Sequence, residues 1–411
     1  MKAEIINIGD ELLMGQVINT NAAWIGEQLN LSGIRVIRTD IIPDRHEQIL
    51  EILKESGKRA DLVIITGGLG PTKDDITKNT LCEYFNTRLV FHQATYDDVE
   101  QRFRIRGIKL SKINKEQAEI PESCIPIRNL NGTAPGMWFE QDGCIFVSIP
   151  GVPYELKPML TGFIIPRLAR QFKLPVIIHK TILTQGMGES AIAVLVADWE
   201  NALPENIKIA YLPQPGIVRL RLSATGTDYE TVKHEMDKQI EALINIIPDL
   251  VFGYDDELLE EIVGKLLKQQ GKTLATAESC TGGYIAHLIT SIPGSSVYFK
   301  GSVVAYANEI KENALKVSKE TMIKYGVVSK ETVKEMASGI RDHFKTDYAI
   351  AVSGIAGPDG GSDEKPVGIT WIAIATSGKV SAQRFQFGEH RGRNIRIASV
   401  TALNMLRKEL T

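Results

Sequence analysis

One stretch of the chain combines a hydroxyl, a thiol and paired glycines in the pattern of a strand-to-helix turn. It reads Glu278-Ser279-Cys280-Thr281-Gly282-Gly283, follows a short β-prone run and precedes apolar residues at helical spacing. Such a turn can lift a serine hydroxyl out of the backbone, and the following helix offers N–H groups to an anion. The pattern therefore fits a nucleophile at Ser279. It equally fits ordinary turn chemistry, in which Ser279 or Thr281 caps the helix.

Groups that could serve a serine nucleophile follow downstream, each near the end of a predicted strand. Tyr306 and Lys311 flank the end of one strand, a glycine-rich loop from Ser353 to Gly361 follows another, and Arg391 and Arg393 open the last helix. A lysine with a lowered pKa can remove the proton of a serine. Each residue also has an ordinary structural interpretation, but their convergence in one α/β unit favours an active site.

A second candidate loop follows the apolar strand 61–66 near the start of the chain. Its glycines let the backbone approach a phosphate, its Thr and Lys can donate to phosphate oxygens, and its two aspartates can hold a divalent cation. These residues are Gly67, Gly68, Gly70, Thr72, Lys73, Asp74 and Asp75. The alternative is a glycine turn before an Asp-capped helix. Asp10 and Glu11 follow the first strand and reach the same predicted sheet edge.

The order of predicted elements divides the chain into three parts. A β-α-β-α-β rhythm in residues 1–172 predicts a doubly wound α/β domain with its ligand at the carboxyl ends of the strands. The pattern of residues 173–252 predicts a small α+β domain. Apolar and polar residues alternate at 217–222, which indicates a strand with one face exposed to solvent. Residues 253–411 predict a second α/β domain. The fold class is therefore α/β with a small α+β unit between the two larger domains.

Composition limits the class of protein. The 411 residues are 43% hydrophobic, carry a formal net charge of −3 and include four scattered cysteines. These values indicate globular domains with reduced thiols, and they argue against a dedicated nucleic-acid binder. No apolar run reaches the roughly 18 residues of a membrane helix, and acidic residues interrupt the first apolar run. We expect a cytoplasmic protein that needs no membrane and no nucleic acid.

Several motifs in the first domain resemble those of the CinA (competence/damage-inducible protein A) family. They are Gly9-Asp10-Glu11-Leu12-Leu13, Asn19-Thr20-Asn21, Thr66 to Thr77, and Pro150-Gly151-Val152-Pro153-Tyr154-Glu155. The resemblance implies a molybdopterin-binding (MoaB/MogA-like) fold with metal-dependent ADP-ribose pyrophosphatase activity. It assigns the nucleotide diphosphate to the Gly67–Asp75 loop and the divalent metal ion to Asp10, Asp74 and Asp75.

The last domain is similar to the C-terminal domain of the same family, whose members are nicotinamide mononucleotide (NMN) amidohydrolases. The similarity rests on the Ser279 turn, Pro293-Gly294-Ser295-Ser296, Tyr306-x-Asn308-x-x-Lys311, Gly326-Val327-Val328-Ser329 and the loop from Ser353 through Gly368. It implies that Ser279 is the nucleophile, Lys311 its base and Tyr306 a proton-relay or positioning partner, with no cofactor. The implied substrate contacts are Thr281, Gly282, Gly283, Ser353, Gly354, Gly357, Gly360, Gly361, Arg391 and Arg393.

The resemblance therefore implies a bifunctional hydrolase of pyridine-nucleotide salvage that acts on NMN and ADP-ribose. The alternative is a nucleotide- or pterin-binding competence protein with one or neither activity. We expect a homodimer, by analogy with related α/β units.

Overall fold

The computed structural model describes residues 1–72, 75–105, 107, 109 and 111–411. The chain divides into two compact units, one of residues Met1–Ile178 with Ala224–His234 and one of His179–Ser223 with Glu235–Thr411. Among the described residues, no helix is both long and apolar enough to cross a membrane.

The first unit alternates strands and helices along most of its length. Its strands are β1 (Lys2–Ile8), β2 (Arg35–Ile42), β3 (Leu62–Thr66), β4 (Leu89–Phe91), β5 (Glu119–Pro121), β6 (Ile125–Ile127), β7 (Gly136–Gln141) and β8 (Cys144–Ile149). Its helices are α1 (Asp10–Leu13), α2 (Thr20–Leu31), α3 (His46–Arg59), α4 (Thr77–Tyr84), α5 (Gln93–Ile105), α6 (Lys112–Glu116), α7 (Pro153–Met159) and α8 (Ile165–Gln171), with a π-helical turn at Leu160–Ile164.

The main sheet of this unit has the order β2-β1-β3-β8-β7-β6 within the described residues. Strands β2, β1, β3 and β8 run parallel, and β7 and β6 extend the sheet antiparallel. Separate apolar clusters cover its two faces, one built with α2 and α7 and the other with α3 and α4. The predicted doubly wound domain is confirmed. Trp138 on β7 is fully buried in the first of these clusters.

The rest of the chain forms two further sheets. The strands are β9 (Val176–Gln185), β10 (Ile207–Gln214), β11 (Ile217–Gly226), β12 (Val251–Tyr254), β13 (Leu274–Glu278), β14 (Phe299–Val304), β15 (Tyr348–Gly354), β16 (Ile369–Ala375) and β17 (Val380–Gln386). The helices are α9 (Glu189–Asn201), α10 (Tyr229–Ile246), α11 (Leu259–Gln270), α12 (Tyr284–Thr290), α13 (Asn308–Asn313), α14 (Lys319–Tyr325), α15 (Lys330–Phe344) and α16 (Arg391–Leu410), with a 3₁₀ turn at Ser295–Val297.

The last sheet has the order β14-β13-β15-β16-β17 within the described residues, with β14, β13 and β15 parallel. Strands β16 and β17 are antiparallel to their neighbours. Helices α11, α12 and α16 pack on one face, and α15 packs on the other. This arrangement confirms the predicted C-terminal α/β domain and makes β13 an interior strand whose carboxyl end meets those of its parallel neighbours.

The middle sheet, with the order β10-β11-β9-β12, shares an apolar core with the C-terminal domain. Leu183 and Phe252 belong to the same buried cluster as Leu259 and Leu403. At the end of β9, the amide of Gln185 donates to Thr401 Oγ1 at 3.1 Å and accepts from Asn404 Nδ2 at 2.5 Å. The middle sheet and α16 are therefore joined by both apolar packing and a buried polar bridge.

Candidate active sites

The Ser279 turn has the strand-to-helix geometry that the sequence predicts. β13 is buried throughout, and α12 begins at Tyr284. Between them, Gly282 and Gly283 adopt left-handed conformations with φ of 61° and 95°, which favour glycine. Ser279 is 9% exposed, and its backbone N–H donates to the carbonyl of Val352 on the neighbouring strand. The turn thus holds Ser279 at the end of the sheet.

The helix after the turn is capped from the preceding strand. The N-cap residue of α12 is Gly283, which supplies no side-chain cap, and the carboxylate of Glu278 accepts the backbone N–H groups of Gly283, Ile285 and Ala286. Neither Ser279 nor Thr281 caps the helix. In the described part of the chain, the Ser279 hydroxyl makes no hydrogen bond, so it stays available for chemistry.

Lys311 lies in a desolvated position on α13. Its side chain is 2% exposed, and Nζ donates to the carbonyls of Ala305 at 2.8 Å and Tyr306 at 3.4 Å. Burial lowers the pKa of Lys311, and the neighbouring Cys280 thiol opposes this effect. Burial also raises the pKa of Cys280 to about 12, and the positive charges of Lys311 and Arg391 act against that rise. Both cations therefore lie close enough to the turn to act on it electrostatically.

Arg391 links two of the predicted site segments. Its guanidinium donates from Nη1 to the Gly357 carbonyl and from Nη2 to the Tyr306 hydroxyl, both at 2.9 Å. Tyr306 is 61% exposed, so this contact lies at the rim of the site. Arg393 donates its backbone N–H to the ring of His390, the N-cap of α16. The structure thus distinguishes Arg391, whose guanidinium contacts two site segments, from Arg393, although the sequence motif offers both as candidates.

The glycine-rich loop that begins at the end of β15 lies close to the backbone of neighbouring segments. The buried Ser353 hydroxyl donates to the carbonyl of Val327. A Cβ on Gly354 would lie 2.6 Å from a carbonyl oxygen, and one on Gly361 would lie 2.8 Å from a backbone nitrogen. Gly357 and Gly360 have φ of 85° and 88°. Side chains at these four positions would overlap neighbouring backbone atoms or require a left-handed conformation, so glycine is favoured at each.

Asn394 anchors this loop and was missed in the sequence. It is 2% exposed, and Nδ2 donates to the carbonyls of Ala356 and Gly388. The sequence offered one signal for it, because Asn394 is a polar residue one helical turn before Ala398 on the side of α16 that is buried.

The first unit contains a cavity of about 520 Å³ at the carboxyl ends of β1, β3 and β8. Its wall includes Gly9 and Glu11 after β1, residues 67–71 after β3, and residues 150–153 after β8. The sequence predicts a ligand at this sheet edge, and the cavity lies there. Asn19, the N-cap of α2, also lines it.

Steric contacts explain two glycines of the Gly67–Asp75 loop. At Gly67, where φ is 110°, a Cβ would lie 2.1 Å from the carbonyl oxygen of Ile8. At Gly68, where φ is 62°, it would lie 2.1 Å from Thr77 Oγ1 and 3.0 Å from Asp44 Oδ1. Only glycine therefore fits at either position.

Asp75 closes this loop on itself. Its carboxylate accepts from the backbone N–H groups of Gly70 at 2.8 Å and Thr72 at 3.0 Å, and from the Thr72 hydroxyl. Helix α4 begins after Ile76, which has no side-chain cap, so Asp75 stabilises the loop rather than the helix. Lys73 and Asp74 lie outside the described residues.

Other carboxylates surround the same cavity. Glu11, Asp44, Asp75 and Glu155 line it, whereas Asp10 is exposed on α1 and is not part of the wall. Asp44 was missed in the sequence, although its place just after β2 was a usable signal. Within the described ranges, no three His, Cys, Asp or Glu residues form a metal-binding group. This donor set suits a hard cation held by one or two carboxylates together with substrate phosphates.

Comparisons with known proteins cover the whole chain. Residues 4–170 match a probable molybdopterin binding domain, residues 179–253 the damage-inducible protein CinA KH domain, and residues 256–410 the CinA C-terminal domain. A CinA-like protein from Cytophaga hutchinsonii is 48% identical over 99% of this chain and 98% of its own. Another from Flavobacterium psychrophilum is 47% identical over 100% of this chain and 99% of its own.

A crystal structure of competence/damage inducible protein CihA from Agrobacterium tumefaciens is 38% identical over 36% of this chain and 92% of its own, with a TM-score of 0.36.

Proposed function

The chain belongs to the CinA family, and we propose that its C-terminal domain hydrolyses the carboxamide of NMN to give nicotinic acid mononucleotide and ammonia. The observation that carries this proposal is a buried turn in which Ser279 has an uncommitted hydroxyl and its neighbour Cys280 lies within electrostatic range of the desolvated Lys311. Serine and lysine form such nucleophile–base pairs on unrelated folds.

The contacts of Lys311 suit a base. A neutral amine has two N–H bonds and one lone pair, and the carbonyls of Ala305 and Tyr306 accept the two N–H bonds. The lone pair then remains for the proton of Ser279. Because burial lowers the pKa of Lys311, the neutral form is reached at a lower pH than for an exposed lysine.

The proposed reaction has two steps, acylation of Ser279 and hydrolysis of the resulting ester. Ser279 Oγ attacks the carboxamide carbon as Lys311 takes the hydroxyl proton, and that proton leaves with the nitrogen as ammonia. A water molecule then attacks the ester in the same way, which releases the carboxylic acid and restores Ser279. Arg391, near the turn and at the rim, is suited to the substrate phosphate because guanidinium groups bind phosphate through paired N–H donors.

Ammonia release from NMN tests this proposal. The parent protein should release ammonia, and Ser279→Ala and Lys311→Met should each lower the rate at least about 10³-fold, as expected when a residue of a nucleophile–base pair is removed. Ser291→Ala is a matched control because it removes an exposed hydroxyl at the end of α12 that bonds only Leu288. A parent without activity, or an active Ser279→Ala variant, would refute the proposal.

For the N-terminal domain, the proposed reaction is hydrolysis of ADP-ribose to AMP and ribose 5-phosphate with a divalent cation. The cavity supports it, because a glycine-rich loop and several carboxylates line it at one sheet edge. The cation, when bound, neutralises phosphate oxygens and activates water. Asp75 belongs to the loop, and Asp44 Oδ1 would lie 3.0 Å from a Cβ on Gly68. Asp10 and Asp74 remain predicted ligands.

AMP formation from ADP-ribose in the presence of Mg²⁺ or Mn²⁺ tests this second activity. We expect Asp44→Asn to reduce turnover with intact ADP-ribose binding, and Asp75→Asn to reduce both because it also opens the loop. Asp142→Asn, in the β7–β8 turn, is the control. Binding of ADP-ribose by the parent without metal-dependent turnover would favour a nucleotide- or pterin-binding domain instead.

A further inference from the structure

The carboxylate beside the candidate nucleophile has an unusual set of partners. Glu278 is fully buried, and Oε2 accepts the N–H groups of Gly283 and Ile285, both at 3.0 Å. Oε1 accepts the N–H of Ala286 at 2.8 Å and the hydroxyl of Thr276 at 3.4 Å. A buried carboxylate is costly unless such donors satisfy it, and here both oxygens are satisfied by the turn and by its own strand.

These bonds join the sheet directly to the helix. The backbone of Glu278 lies in register with Val304 on β14 and Val352 on β15, so its Cα is fixed on both sides. Its carboxylate reaches forward over the turn and satisfies three N–H groups at the start of α12, which would otherwise lack partners. Ser279 lies between these two anchored points, in a turn whose two glycines would otherwise be the most flexible part of the backbone.

We propose that Glu278 is a positioning residue that fixes the Ser279 hydroxyl by holding the turn between β13 and α12. This inference rests on the proposed role of Ser279 as nucleophile. It also corrects the expectation that the start of this helix offers its N–H groups to a substrate anion, because Glu278 already occupies three of them. Anionic groups of the substrate must then be bound elsewhere, as by Arg391.

The isosteric variant Glu278→Gln gives the sharpest test. An amide has one acceptor oxygen, and its NH₂ group would face backbone N–H donors that need acceptors. The turn should loosen while the substrate contacts outside it, in the loop after β15 and at Arg391, stay in place. We expect kcat for NMN deamidation to fall by about 10²-fold, the typical cost of misplacing a catalytic group by about 1 Å, with KM changed less than about 3-fold.

Asp347→Asn is the matched control. Asp347 precedes β15, and its carboxylate contacts the residues just before β13, at the end of that strand opposite Glu278. Asp347 accepts the backbone N–H and the hydroxyl of Thr273, both at 2.9 Å, and pairs with Lys272 at 3.1 Å. It therefore also ties a carboxylate to β13, but far from Ser279. We expect this variant to lower stability and to leave kcat within about 2-fold of the parent.

Two measurements do not depend on amidase activity. In the parent, hydrogen exchange at residues 283–286 should be slow for the first turn of a helix, and Glu278→Gln should accelerate it more than Asp347→Asn does. In a Ser279→Cys background, Glu278→Gln should change the rate of alkylation at position 279 by iodoacetamide. Cys280 contributes little to this reaction because burial raises the pKa of its thiol to about 12.

These readouts separate the two proposals. A parent without amidase activity but with exchange and alkylation rates that depend on Glu278 would refute the role of Ser279 and keep the positioning role. If kcat, the hydrogen-exchange rates and the alkylation rate of Glu278→Gln all equal those of the parent, the positioning role is refuted. A rise in KM at unchanged kcat would also refute it, since it would place Glu278 in substrate binding. If Glu278→Gln does not fold, fast exchange at residues 283–286 in the parent would refute the proposal and slow exchange would support it.

Discussion

Replacement of Gly67 by alanine should disrupt the cavity of the first unit far more than the same change at Gly143. Both residues have left-handed backbones, with φ of 110° and 80°. At Gly143, in the β7–β8 turn, an added Cβ would meet no atom within 4 Å. At Gly67 it would lie 2.1 Å from the carbonyl oxygen of Ile8, at the end of β1. The pair therefore separates backbone strain from steric overlap.

The two costs can be estimated separately. A left-handed conformation costs a non-glycine residue about 1–2 kcal/mol, part of which is offset by a less flexible unfolded chain. Gly143→Ala should thus lower the free energy of unfolding by about 1 kcal/mol. At Gly67, relief of the overlap requires the Ile8 carbonyl to move by about 1 Å, and such overpacking adds about 1–3 kcal/mol. Gly67→Ala should therefore cost about 2–4 kcal/mol in all.

Urea unfolding followed by hydrogen exchange of peptides from residues 1–178 would measure both values within the first unit. Gly67→Ala should also abolish ADP-ribose cleavage, because Gly67 and Ile8 both line the cavity, and it should leave NMN deamidation unchanged. Equal losses of stability in the two variants would show that the Ile8 contact is not as described. Retained ADP-ribose binding in Gly67→Ala would refute the assignment of the cavity.

Two further predictions concern the second unit. Because burial lowers the pKa of Lys311, the rate of NMN deamidation should rise with pH to a midpoint below 10.5; a midpoint at or above 10.5 would refute Lys311 as the base. Below its lowered pKa, the buried Lys311 is charged and destabilises the folded parent by the full amount. As pH rises from that pKa towards 10.5, the parent should gain about 1.4 kcal/mol of unfolding free energy per pH unit relative to Lys311→Met. Urea unfolding of both proteins at several pH values would measure this difference. Gln185→Leu should lower the free energy of unfolding by about 1–3 kcal/mol because Asn404 and Thr401 lose their buried partner. Gln185→Leu with Asn404→Leu should recover only part of that loss, because Asn404 also accepts from Arg407 Nε at 2.8 Å. A single-variant change below about 0.5 kcal/mol would mean that this bridge does not join the middle sheet to α16.

Local pattern was sufficient to predict most of the fold. The run Leu62–Ile65 is wholly apolar, which is typical of a strand at the centre of a parallel sheet, and β3 is buried along its whole length. The packing of the middle sheet was not predictable, because the pattern of β9 shows which residues are apolar but not which domain covers them. Gln185, at its end, contacts residues more than 200 positions away.

Capping was the least predictable part of the candidate sites. Sequence signals place a cap immediately before its helix, so Ser279 and Thr281 were the natural candidates for α12. The actual cap is Glu278, which acts from the preceding strand over five to eight positions. Such a reach depends on the path of the turn, and that path depends on two left-handed glycines whose angles the sequence does not specify. The buried position of Lys311 likewise depends on packing between distant segments.

Both candidate sites share one physical problem and solve it in the same way. A glycine-rich loop at the end of a buried strand exposes backbone N–H groups and has few side chains to satisfy them. In the first unit Asp75 accepts the N–H groups of Gly70 and Thr72, and in the second Glu278 accepts three at the start of α12. A carboxylate within or beside such a loop is therefore often committed to the backbone before any ligand arrives. Counting acidic residues in a glycine-rich motif consequently overestimates the number of catalytic or metal-binding groups, and the residues left for chemistry are those without such commitments, as with the hydroxyl of Ser279.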